Sequence, residues 1–169
     1  MQIRDGRVLV RAPLRTPEAE IRQFMEKHRQ WLEKHLLKAQ ELERAKAGVR
    51  KLTEEEIREL MKQAKAVIPE RAAYWAERIG VRYGRITIRC QKTRWGSCST
   101  KGNLNFNCLL MLTPPEVLDS IVVHELCHRK EMNHSGRFYA EVLRVMPEYR
   151  QYQQWLKEHG EMILSKVQG

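Results

Sequence analysis

The segment His124-Glu125-Leu126-Cys127-His128 constrains this chain more than any other. Two histidines four residues apart leave the same face of an α-helix, one turn from each other. The flanking sequence asks for that helix. Thr113-Pro114-Pro115-Glu116 reads as its start, with Thr113 as cap, proline in the first turn and Glu116 three residues on. Val117, Leu118, Ile121, Val122 and Leu126 supply its buried side. At this spacing two ring nitrogens reach one zinc ion at about 2.0–2.1 Å. Glu125 stands beside such an ion without having to ligate it, where it can take a proton from water.

A catalytic zinc takes a third protein ligand and keeps one position open. His134 lies six residues beyond His128, across Arg129-Lys130-Glu131-Met132-Asn133, a polar stretch that reads as the helix end and a turn back. Asn133 suits a left-handed turn residue. The resulting HExxH-x5-H spacing is that of metzincins, which carry glycine where this chain has Glu131, so the turn must differ. The bland alternative is three satisfied histidines near a helix end. It does not explain why three of the six histidines fall within eleven residues. His28, His35 and His159 have no such company and read as surface or packing residues. Cys127 is a conceivable thiolate ligand, but it sits three residues after His124 and reads as a small side chain packed behind the helix.

The remainder of the chain supports one compact fold. Val8-Leu9-Val10 reads as a short edge strand ahead of Pro13. Thr16-Pro17-Glu18 opens an amphipathic helix through Ile21, Phe24, Met25, Trp31, Leu32, Leu36 and Leu37, fading near residues 45–51. Thr53-Glu54-Glu55-Glu56 is a capping box whose helix is kinked or restarted at Pro69 and stopped by Gly80. Residues 85–90 alternate with period two, Trp95-Gly96-Ser97-Cys98-Ser99 reads as a strand end or bulge, and Leu104–Leu110 alternates again. These make a small antiparallel sheet. Helices follow at Ser135-Gly136 and around Tyr149–Leu156, the last ending at Gly160. The fold class expected is α+β, with residues 1–52 a strand and basic helical region and residues 53–169 the catalytic unit.

Charge and cysteine usage narrow the function classes. Residues 1–52 carry 13 Lys/Arg against 7 Asp/Glu, and residues 81–112 carry six cations and no acid. The first excess reads as a solvated surface. No apolar run approaches the length of a membrane span, and the N-terminus lacks the apolar core of a signal peptide. Cys90, Cys98, Cys108 and Cys127 show no CxxC spacing and read as reduced thiols, which points to the cytoplasm.

At Arg94-Trp95-Gly96-Ser97-Cys98-Ser99, Leu104-Asn105-Phe106-Asn107, Pro114-Pro115-Glu116, Val122–His128 and Met132-Asn133-His134-Ser135 with Phe138, the sequence resembles the YgjP-like metallopeptidase family. It is more distantly similar to SprT-like and WLM-type zinc proteases. Val10-Arg11-Ala12-Pro13 and the helix leading to Trp31 also look like the family, so the resemblance covers nearly the whole chain. It implies a minimal zincin-like fold, zinc on His124, His128 and His134, and a catalytic Glu125. It also implies more strand ahead of Val8 than this chain supplies. Three substrates fit the chemistry. The first is a peptide bond, with Leu104–Leu110 as the strand edge for an extended peptide and Asn133, Arg94 or a backbone N–H near Gly96 helping the oxyanion. The second is a nucleotide phosphoanhydride, with Arg94 gripping phosphate and Trp95 stacking on a base, unless Trp95 is a core residue. The third is a protein associated with nucleic acid, tracked by the basic N-terminal helix; no nucleic-acid module is recognisable.

Overall fold

The computed structural model describes residues 2–4 and 7–167. The chain divides into two compact units, Met1–Val49 and Arg50–Gly169. In the first, β1 (Gln2–Arg4) pairs antiparallel with β2 (Arg7–Leu9), opposing Ile3 to Val8. Two helices follow, α1 (Glu18–Lys27) and α2 (Arg29–Ala47). The sequence reads as one continuous helix here; the structure breaks it at His28, whose backbone (φ −108°, ψ 17°) leaves helical geometry. No glycine or proline announces that break. Pro17, not Thr16, occupies the cap, and no side chain closes the helix start.

The second unit contains the apolar core, and α3 (Glu54–Ile79) is its longest element. Thr53 Oγ1 accepts from the Glu56 N–H, and the Glu56 carboxylate accepts from the Thr53 N–H. Together these satisfy two donors at the helix start that have no partner within the helix. Arg50 grips the same carboxylate through two nitrogens and, with the Thr53 N–H, holds Glu56 down at about 2. Pro69 sits inside α3 without ending it. Gly80 ends it in the left-handed conformation (φ 75°), returning its N–H to the Ala76 carbonyl. Leu60, Ala64, Ile68, Ala72, Ala76 and Ile79 recur at three- and four-residue intervals and form the buried stripe.

That stripe packs on α4 (Pro115–Cys127). Arg71 of α3 and Asp119 of α4 form a two-pronged ion pair, with Nε at 2.7 Å from Oδ1 and Nη2 on Oδ2. Asp119 is nearly buried, so the pair sets the register of the two helices. The α4 cap falls on Pro114; Thr113 instead donates its hydroxyl to the Leu110 carbonyl.

The sheet comprises β3 (Ile86–Arg89), β4 (Gly96–Cys98) and β5 (Leu104–Asn107), in the order β3-β5-β4. It is mixed rather than wholly antiparallel: β4 runs against β5, but β3 runs parallel to it. The cause is the segment 90–95, which rounds the C-terminal end of β5. Buried Asn107 sits in that bend and donates its amide to the carbonyls of Gln91 (2.7 Å) and Arg94 (2.9 Å). β5 is thereby central, which corrects the expectation that Leu104–Leu110 offers a free edge. Its second half, Cys108–Leu112, is a 3-10 helix begun by Asn107 Oδ1 accepting from the Leu109 N–H.

Two helices complete the unit, α5 (Gly136–Val145), capped by Ser135, and α6 (Tyr149–Leu164). Gly160 does not stop α6. It is buried within it, where a β-carbon would come 3.3 Å from Trp95 Cζ2. No helix among the described residues is long and apolar enough to cross a membrane.

Candidate metal centre

His124, His128 and His134 come together at the C-terminal end of α4. One ligand atom from each lies within 4.8 Å of the other two. His124 leaves the last turn of α4. His128 ends that helix with its backbone still right-handed (φ −62°, ψ −14°), so the one-turn spacing survives. The chain then reverses, with the Lys130 and Glu131 N–H groups returning to the Cys127 carbonyl. Ser135 opens α5 directly after His134. The α5 start therefore fixes where the third imidazole stands.

The orientation of the rings is set from behind. His124 Nδ1 lies 2.7 Å from the Tyr149 hydroxyl, and His128 Nδ1 lies 3.1 Å from the Glu131 carbonyl. A carbonyl only accepts, so His128 carries its proton on Nδ1 and presents a bare Nε2. The Tyr149 hydroxyl occupies His124 Nδ1 and so orients that ring with Nε2 toward the centre. His124 Nε2 and His134 Nε2 then face each other at 2.9 Å. Fully buried Phe138 backs all three rings at centroid distances of 4.9, 4.6 and 4.9 Å. Burial, then the neighbouring imidazoles His128 and His134, push His124 down to about 3. Burial also lowers His128. Both rings are therefore neutral at pH 7, as metal ligands must be. The donor set fits a metal ion: three converging imidazoles, two of them with the far nitrogen tied off, on a dry aromatic floor.

Glu125, next to His124 in the chain, packs against β4 at Gly96. It is 6% exposed, and burial raises its carboxyl to about 8 against the opposing pull of Arg94 and the Cys98 backbone N–H. The space it fills exists because residue 96 is glycine. A β-carbon there would sit 2.7 Å from Glu125 Oε1 and 2.8 Å from its Cγ.

The other sequence candidates separate. Arg94 is exposed but close enough for its charge to favour the Glu125 carboxylate. Trp95 is half-buried, its indole against Gly160, and packs on the core. Asn133 is exposed, and its carbonyl accepts from the Ser135 N–H at 2.7 Å. Cys127 is fully buried outside the ligand set, its thiol pushed up to about 12 by burial, so it does not present a thiolate. His28 packs on Phe24, while His35 and His159 stack on Trp31 and Trp155. Tyr149 escaped the sequence reading as a site residue, being 25 positions from its partner. Gly96 was seen there only as a backbone donor, not as room for Glu125.

The profile of the YgjP-like metallopeptidase domain matches this chain over residues 1–59 and 46–159. Among solved structures the chain is similar to the metallopeptidase zymogen abylysin of Pyrococcus abyssi. The two share 22% identity over 54% of this chain and 94% of that one, with a TM-score of 0.49. Comparison with curated proteins gives no match. With the family profile covering most of the sequence around a three-histidine centre, this chain belongs to the YgjP-like metallopeptidase family.

Proposed function

We propose that the chain is a zinc-dependent peptidase in which His124, His128 and His134 hold the ion and Glu125 is the general base. One observation carries this reading: three imidazoles converge, and two have their outer nitrogens committed to Tyr149 and Glu131. Three converging imidazoles with room for a fourth ligand are the donor set of a catalytic zinc. When bound, zinc supplies Lewis-acid polarisation of the scissile carbonyl and acidifies water. Glu125 takes the proton of the attacking water and delivers it to the leaving amine. A carboxyl held near neutrality by burial suits both halves of that shuttle, and the Arg94 charge keeps the ionised form within reach.

β4 offers the substrate an edge. The Trp95 carbonyl and Ser99 N–H bond inward to β5 and its turn, so the alternation of an antiparallel pair turns the backbone of Gly96 outward. An extended peptide laid on that edge passes next to Glu125.

The nucleotide reading has less support. The basic cleft on the sheet, about 420 Å³ and lined by Arg89, Arg94, Ser97 and Asn105, sits on the side that Ser97 and Asn105 share. Side chains alternate along a strand, so this face lies opposite Gly96, Cys98 and Glu125. The test is cleavage of unfolded proteins and peptides by zinc-loaded protein, beside Glu125→Gln. A loss of about 10²- to 10⁴-fold with zinc retained is expected. Full activity in Glu125→Gln would end the assignment.

A further inference from the structure

A second cavity, of about 580 Å³, opens directly beside the metal centre and shares His124 with it. His124 and Tyr149 form the end nearest the metal, and Tyr139 and Leu143 of α5 give one wall. The other wall is a single stripe of α6: Arg150, Gln153, Gln154 and Lys157. Their spacing of three, one and three residues puts all four on one helix face. The adjoining face of α6 carries the buried Leu156, Gly160 and Ile163.

The stripe contains two cations and two amides and no acid. Several cations of this unit are ion-paired: Arg50 to Glu56, Arg71 to Asp119, and Lys130 and Arg144 to Glu141. Arg150 and Lys157 have no ion-pair partner among the described residues. Between them, the Gln153 amide nitrogen is buried with no acceptor in reach. A buried donor left without an acceptor costs about 1–3 kcal/mol. An unpaired donor between two unpaired cations is complementary to one kind of group, an anion with several acceptor oxygens.

We infer that this cavity is a substrate subsite that takes a carboxylate of the peptide, close to the scissile bond. The inference rests on the peptidase reading for its substrate class. The geometry limits the distance: His124 lines the cavity and also holds the metal, so the recognised carboxylate belongs to a residue near the bond that is cut. Both an acidic side chain and a free C-terminus present that group.

Binding separates the two sources and needs no turnover. The zinc-loaded full chain carrying Glu125→Gln is titrated calorimetrically with three versions of one short peptide. The first has an internal glutamate and an amidated C-terminus, the second a glutamine with a free C-terminus, and the third a glutamine and an amide. We expect one of the two charged peptides to bind at least tenfold more tightly than the uncharged one, with the advantage shrinking as salt is raised. Charge reversal at Arg150→Glu with Lys157→Glu, both exposed on α6, should invert the preference toward a lysine-bearing peptide. Equal binding of all three peptides would overturn the subsite, as would no measurable binding of either charged peptide or a preference that survives charge reversal. Cleavage of the same peptides by the zinc-loaded wild type is scored separately. An acidic preference without Glu125-dependent cleavage keeps the subsite and removes the peptidase reading. Cleavage without the preference does the reverse.

Discussion

The two faces of the three-stranded sheet are built from alternating residues of the same short strands, yet they meet different environments. On the inner face Gly96 is empty space filled by Glu125, with Leu104 and Phe106 buried alongside. On the outer face Ser97 and Asn105 hydrogen-bond to each other at 3.2 Å beside Arg89 in a polar cleft. A carboxylate on the inner face is desolvated and raised to about 8. Arg89 on the outer face remains exposed, while Arg94, in the 90–95 crossover, is close enough for its charge to act on Glu125. The period of two thus decides which residues of a conspicuously basic segment reach the chemistry.

The contrast can be broken most sharply at Gly96. Adding one methyl in Gly96→Ala forces Glu125 out of its place, and a displacement of about 1 Å at a reacting group costs on the order of 10²-fold in turnover. Steady-state peptide cleavage should show that loss with zinc content unchanged; wild-type turnover would mean Glu125 does not work from this position. A smaller effect, about 10- to 100-fold, is expected on zinc affinity in Tyr149→Phe, because His124 loses the partner that fixes its ring orientation. Competition against a chelator measures it, and an unchanged affinity would remove Tyr149 from the centre.

Heating the metal-free protein across a range of pH sharpens the inner-face account. His124 is lowered to about 3, so its contribution is present above about 6.5 and is lost as pH falls toward 3. Glu125 is raised to about 8, so its contribution is present below about 4.5 and is lost as pH rises toward 8. Metal-free protein should therefore be most stable near pH 4.5–6.5 and lose stability on both sides. Glu125→Gln should flatten the upper limb alone. The smallest effect belongs to the outer face: Arg89→Ala should change stability by less than about 0.5 kcal/mol and leave cleavage unaltered.

Much of this was legible in the sequence because the informative patterns are local. The HExxH-x5-H spacing lies within eleven residues, and the Thr53 capping box and the Ser135 start are set by residues three apart. What could not be read depends on distant chain segments. Whether Leu104–Leu110 is an edge or a centre is settled by Asn107 holding the 90–95 crossover, a tertiary event with no periodic signal. Gly160 reads as a helix stop until Trp95 is seen against it, because the same residue serves turns and close packing. The break at His28 has no local cause in its residue types.

The central claim is the three-imidazole metal centre, and X-ray absorption at the zinc edge of the zinc-loaded protein tests it most directly. The account predicts three imidazole nitrogens at about 2.0–2.1 Å, one further light atom and no sulfur. A sulfur shell near 2.3 Å would place a cysteine on the metal. That result, or a spectrum with fewer than three imidazoles, would contradict the assignment of His124, His128 and His134.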